Sequence, residues 1–348
     1  MIHRHRCFAH ALLCSALLCS LTACESDRDD DSFAPTPDPA APALPAIAAT
    51  EVHDLRSEHV GDDYRISVAL PNPIDPLAPP ADASTRYPVI YVLDASWGFG
   101  GTVELTRLLS PYALPSTIVV GIGYPEPQAM DIHLLRTRDF TPTRDERYGR
   151  VQDTHVLAPF VAGGGVPVLE RHEMGGADRF LAFLRDELKP FIESNYPADP
   201  TDATLVASSF GGTFAVHTLL HQPETFQRYV ITSPGLAWDN AIHLQHEAAY
   251  AASHDDLPAR VFLAAGGLEE LEQQTLARFG DDDSRALKLD LRYVERMQNL
   301  ATLLQSRDYP GLSLHTRVID GETHPTTPAF GVSIGLRTVF ESQYFFSP

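Results

Sequence analysis

Cysteine is missing from almost all of this chain. Cys7, Cys14, Cys19 and Cys24 are the only examples and all lie near the start. The rest can therefore form no internal disulfide and no cysteine-ligated metal site. Lysine is nearly as scarce, with Lys189 and Lys288 alone, and the arginines are scattered. The 348 residues carry 46 acids against 26 bases and a formal net charge of −20, with no basic stripe, which argues against nucleic-acid binding. No Walker loop is present and no Gly-x-Gly-x-x-Gly turn follows a strand, so nucleotide chemistry has no support. Internal repeats are also lacking. What remains is 44% hydrophobic and 21% charged, an ordinary globular composition within the single-domain range of an open α/β sheet.

The N-terminus reads as an address. His3, Arg4, His5 and Arg6 form a basic start, an apolar run covers residues 11–21, and Thr22 and Ala23 precede Cys24. That is the pattern of a secretory signal, too short to span a bilayer as a helix. Leu21-Thr22-Ala23-Cys24 resembles a bacterial lipobox, which makes Cys24 the expected lipidated first residue of the mature chain. Residues 1–23 are then a signal peptide. Residues 24–50, with Asp27, Asp29, Asp30, Asp31 and five prolines, are an acidic, semi-extended tether. The expected location is extracytoplasmic, on a bacterial membrane.

Residues 51–348 are expected to form one domain. Residues 52–60 and 64–70 read as a hairpin at a sheet edge. Short continuous apolar runs follow at 89–93, 118–122, 205–207, 229–231, 261–264 and 312–319, as strands buried on both faces require. Helical patterns at 177–195, 210–221, 241–252, 284–306 and 329–344 alternate with the later runs, predicting a mostly parallel sheet with helices on both faces. Between Ile122 and Gly175 the sequence reads as a long, irregular lid or binding loop after the fourth strand.

Chemistry concentrates at Leu205-Val206-Ala207-Ser208-Ser209-Phe210-Gly211-Gly212, where an apolar strand enters a tight turn and a helix leaves it. A nucleophile elbow needs small residues two before and two after its serine. Ala207 and Gly211 flank Ser209 in this way, whereas Ser208 is flanked by the bulky Val206 and Phe210. A serine needs a base and a group that orients the base, in the chain order serine, acid, histidine for this arrangement. His324 follows the last strand, and Pro325 biases it away from helical geometry. The acid is expected on the loop after the 261–264 strand, at Glu269 or alternatively Glu270. Oxyanion donors are expected from the backbone N–H of Phe210 and from the turn after the 89–93 strand, at Ser96, with Ala95 or Trp97 as neighbours. Trp97 and Trp238 near strand ends are candidates for lining the pocket, and Arg136 and Arg138 for meeting an anionic substrate. His243 and His246 share a helical face as a possible metal pair, but no third ligand stands at useful spacing, so no metal is expected.

Several stretches together resemble the putative-esterase branch of the α/β-hydrolases. They include Tyr87-Pro88-Val89-Ile90-Tyr91-Val92-Leu93-Asp94, Arg138-Asp139-Phe140-Thr141-Pro142, Ser208-Ser209-Phe210-Gly211-Gly212 and Asp320-Gly321-Glu322-Thr323-His324, in order along the chain. Esterase D-like enzymes, mycolyltransferases and ferric-siderophore trilactone esterases belong to that branch, and the siderophore esterases look most similar. The resemblance implies an α/β-hydrolase fold and serine hydrolysis of a small-molecule ester without a cofactor or an obligate protein partner. It supports Ser209 and His324 directly, with Ala207 where glycine is usual. Two rival readings are an acyltransferase of the same fold and a non-catalytic binding lipoprotein.

Overall fold

The computed structural model describes residues 47–71, 82–110, 112–125, 129–170 and 172–341. The proposed signal peptide and Cys24 lie outside them. The fold begins slightly before the expected boundary. Ile47 packs against the core, Ala48 O accepts a bond from Arg107, and Thr50 already belongs to the first strand.

Eight strands form one sheet: β1 (Thr50–Arg56), β2 (Asp63–Ala69), β3 (Tyr87–Val92), β4 (Ile118–Gly123), β5 (Ala198–Ser208), β6 (Arg228–Thr232), β7 (Arg260–Gly266) and β8 (Ser313–Ile319). Their order is β1-β2-β4-β3-β5-β6-β7-β8. The β1–β2 and β2–β4 pairs are antiparallel and every later pair is parallel. This is the mostly parallel α/β-hydrolase architecture, with its hairpin at one edge as expected.

The strands alternate between two cores because successive side chains point to opposite faces. Leu205, Ala207, Tyr229 and Ile231 contribute to one cluster, while Val206 and Val230 contribute to the other. The first cluster is closed by α5 (Ala177–Phe183) and α6 (Lys189–Asn195), joined by a π turn, and by α7 (Phe210–His221). Also on that side are α9 (His243–Ala251), which follows the short α8 (Trp238–Ala241), and α12 (Tyr293–Gln305). The second is closed by α1 (Ala95–Leu109) and α13 (Thr327–Val339). α13 lies so close to β6 that a Cβ on Gly335 would stand 2.5 Å from Val230 Cγ1.

Three expectations are corrected. The segment after β4 is largely helical rather than irregular: α2 (Ala129–Phe140), α3 (Glu146–Gln152) and α4 (Ala158–Ala162), the last two joined by a π turn. Its polar residues Asp131, Arg136, Thr137, Arg138 and Asp139 are buried and paired internally, which hides the usual apolar stripe. The 284–306 helix is two, α11 (Asp282–Asp290) and α12, broken where Arg292 adopts φ 37°. Residues expected to form the loop after β7 instead begin α10 (Glu269–Ala277).

Candidate active site

The carboxyl ends of the central strands carry the site, as open α/β sheets favour. At the end of β5 the chain reverses through Ser209, whose φ of 57° and ψ of −119° place a non-glycine residue in the left-handed half of conformational space. Its N–H donates to Thr232 O at the end of β6, and its carbonyl accepts from Thr213 N–H in α7. The serine is thereby held between strand and helix with its side chain projecting from the elbow. The tightest contact of the turn is not at Gly211, where a Cβ would meet Leu93 and Ala207 at ordinary distances of 3.5 and 3.6 Å. It is one residue on, where a Cβ on Gly212 would come within 2.9 Å of Pro234 Cα.

His324, in the turn between β8 and α13, places Nε2 3.0 Å from Ser209 Oγ. Its Nδ1 lies 3.0 Å from Glu269 Oε2. Glu269 is completely buried at the first turn of α10, where the positive end of the helix favours a carboxylate. Ser233 Oγ and the Gly266 N–H donate to its Oε1, and Thr327 Oγ1 lies 3.0 Å from the same oxygen. With both oxygens bonded, a buried charge at this position is compensated. The alternative acid, Glu270, points elsewhere: its Oε1 accepts the backbone N–H groups of Val294 and Glu295 at the start of α12.

Sequence reasoning missed the groups that hold the imidazole. Glu272 Oε2 accepts the His324 backbone N–H at 2.8 Å, and the Tyr293 ring centroid lies 4.5 Å from that of His324. The spacing of Glu269 and Glu272 was a usable signal, since residues i and i+3 share a helix face. Ser233, with φ of 48°, is a second left-handed residue committed to the same network.

Phe210 is the first residue of α7, so its N–H has no acceptor within the helix. Across from it, Asp94 turns the chain with φ of 55° and α1 begins. The Trp97 N–H bonds back to Asp94 O at 2.9 Å, which removes Trp97 from the possible backbone donors and leaves Ala95 and Ser96. The adjoining corner of the cavity is lined by Asp94, Trp97 and Gly98 rather than by either of these two.

A cavity of about 620 Å³ opens over Ser209 and His324, within the range for small-molecule sites. Val92, Leu105, Val206, Pro328 and Val332 make much of its wall apolar. Arg136 enters from α2, its guanidinium held by two bonds to Asp94 at 2.8 and 2.7 Å and standing 5.6 Å from the centroid of the Trp97 ring. Trp97 itself is 64% exposed.

The other expected lining residues are elsewhere. Arg138 is spent on Asp139 and Asp62, at 2.7 Å each, in a buried network completed by the Tyr64 and Tyr124 hydroxyls on Asp139. Trp238 is buried against Tyr148 and Phe210, and its indole N–H donates to Thr143 O. Both are packing residues because their polar atoms already have internal partners.

The profile of the family described as Putative esterase matches residues 161–318. Among curated proteins, the chain is similar to the ferri-bacillibactin esterase BesA of Bacillus subtilis, 32% identical over 68% of this chain and 75% of that protein. It is also similar to the siderophore triacetylfusarinine C esterase of Aspergillus fumigatus, 25% identical over 74% of this chain and 83% of the other. Among solved structures, the BES protein from Bacillus cereus superposes with a TM-score of 0.65 at 25% identity, covering 87% of this chain and 98% of its own.

Proposed function

The chain belongs to the putative-esterase family of α/β-hydrolases and is a carboxylic ester hydrolase; from that premise we propose that it cleaves siderophore-like ester or lactone bonds through an acyl-enzyme on Ser209. The observation that carries this reading is the continuous relay from Glu269 through His324 to Ser209 on the wall of a roomy cavity.

Ser209 Oγ attacks the ester carbonyl while His324 Nε2 takes its proton. The Nδ1–H donates to Glu269, whose negative charge favours the imidazolium that forms. The Phe210 N–H, at the positive end of α7, faces the developing oxyanion, with Ala95 or Ser96 as the second donor. His324 returns the proton to the departing alkoxide. Water, deprotonated by the same imidazole, then attacks the acyl carbonyl, and the imidazolium gives that proton to Ser209 Oγ as the bond to the serine breaks and the acid leaves.

The relatives' names supply the substrate class, and the cavity is compatible with it. Its volume suits one arm of a bulky ester, and the exposed Trp97 ring beside Arg136 offers a surface for a planar, electron-rich group. Comparing kcat/KM for an iron-loaded siderophore trilactone with that for p-nitrophenyl butyrate tests the proposal. A clear preference for the trilactone is expected. Turnover of the small ester alone would overturn the siderophore assignment while leaving the esterase intact.

The extracytoplasmic, membrane-anchored placement rests on the lipobox-like residues 21–24. Radiolabelled palmitate incorporation into the full chain, lost in Cys24→Ala, is the expected result. Equal labelling in the variant would remove the anchor.

A further inference from the structure

Away from the cavity, on the far half of α7, three histidines converge. His217 and His221 are one helical turn apart and share a face, and His246 reaches them from α9. Their ring centroids are separated by 4.0 Å (His217–His221), 4.5 Å (His221–His246) and 5.6 Å (His217–His246). One ring nitrogen from each lies within 4.8 Å of the others. A tetrahedral zinc site needs roughly 3.4 Å between ligand nitrogens, from metal–nitrogen bonds of about 2.0–2.1 Å, so modest ring rotations close the gap.

The hydrogen bonding is that of ligands with an unfilled function. His217 is buried, its Nε2 paired with Asp178 Oδ1 at 2.8 Å, and its Nδ1 has no partner among the described residues. His221 uses Nδ1 on the His217 carbonyl, which leaves Nε2 uncommitted. His246 is half-buried and completes the set from α9. Asp178, through its bond to His217, supplies the carboxylate that metal-bound histidines commonly use as an orienting partner. His221 and Asp178 are both exposed, so an ion reaches the cluster from solvent.

We propose that His217, His221 and His246 bind one divalent ion of the zinc class, oriented by Asp178, which fastens the end of α7 to α9. Three imidazoles select zinc, copper or nickel over magnesium or calcium. The pair that sequence spacing singled out, His243 and His246, is divided by this arrangement: His246 joins the cluster, while the buried His243 stays outside it.

The test is calorimetric titration of the full chain, free of any histidine tag, with Zn2+ and separately with Mg2+. Thermal melts accompany it for the wild type, His221→Ala and His246→Ala. One Zn2+ per chain beyond that bound by either variant is expected, with a rise in Tm of about 5 °C at a hundredfold excess over Kd. Mg2+ should have no such effect. Metal-free ester turnover should be unchanged in both variants, which reports that they fold; if His246→Ala fails that check, the exposed His221 variant carries the result. No Tm rise in the wild type overturns the site. So does an equal rise in a folded variant, or an equal response to Mg2+.

Discussion

Two of the buried carboxylates, Asp139 and Glu269, are each wrapped in hydrogen bonds, and only one of this pair faces the cavity through its partners. Asp139, in the last turn of α2, is enclosed: Arg138 grips it, and Tyr64 and Tyr124 donate to it. Burial pushes its carboxyl above the usual range, while Arg138 and the two hydroxyls oppose that rise. Glu269 is equally buried, but one oxygen bonds an imidazole whose other nitrogen reaches a serine on the cavity wall. The ingredients are alike and the termini differ. A network that ends in fixed donors holds a fold together, whereas one that ends in an imidazole and a serine hydroxyl at a cavity has the parts to pass a proton between them.

The sharpest break of this comparison comes from cutting the open network at its end. Ser209→Ala or His324→Ala should lower kcat by at least about a thousandfold, and the double variant should be little worse than either, because the residues act as a unit. Esterase assays on the three proteins decide it. Additive losses would dissolve the relay.

Next come the two carboxylates themselves. Glu269→Ala should cost roughly 10²–10⁴ in kcat, the range expected when a base loses its orienting acid. Asp139→Ala should instead cost about 3 kcal/mol of stability, because it leaves the buried Arg138 with Asp62 alone and the Tyr64 and Tyr124 hydroxyls without their acceptor. Its folded fraction should keep kcat within about twofold. Denaturant melts and active-site-normalised kinetics separate these outcomes, and a reversal would exchange the roles assigned here.

Acid discriminates between the two regions more gently. His133, on α2, is pushed down to about 4 by burial, with His172 and Arg136 adding to it. In the unfolded chain it titrates near 6.5. Between those values the unfolded state binds the extra proton, so stability falls as pH drops from about 6.5 to 4 and is unaffected by this group above that window. Stability measured across that range should show a shallower slope in His133→Gln. The smallest effect is expected on the other face of the sheet, where Gly335→Ala forces a methyl against Val230 and should cost about 1–3 kcal/mol without changing kcat.

How much of this was legible in the sequence depended on where polar atoms found partners. Strands β4, β6, β7 and the central parts of β3 and β5 were readable because both their faces are apolar, and α7 because its run from Phe210 to His221 is unbroken. The 312–319 run, expected to be buried on both faces, is instead the edge strand β8 with His315, Thr316 and Arg317 exposed. α1 was not, since Gly98, Gly100 and Gly101 argue against a helix that tertiary packing nonetheless builds. The α2 segment hid because its buried charges pair with residues such as Asp62, remote in sequence. The same cause separated the two tryptophans. Both stand near strand ends, but Trp238 is captured by Tyr148 and Thr143 from the segment that could not be read, and Trp97 is left exposed. At the candidate site, chain order pointed to the serine, acid and histidine that the fold brings within hydrogen-bond distance, and the i, i+3 spacing pointed to Glu272, whereas Ser233, Thr327 and Tyr293 join through proximity that no local pattern encodes.

The left-handed backbone at Ser209 sets heredity against durability. Holding a non-glycine residue there costs on the order of 1–3 kcal/mol, and glycine would adopt the same angles freely. A lineage selected only for persistence would therefore drift to glycine at this one codon and gain heat resistance as it lost turnover. On the proposed mechanism serine is kept there only by selection for ester cleavage, so position 209 would record whether descendants of this chain still work as enzymes.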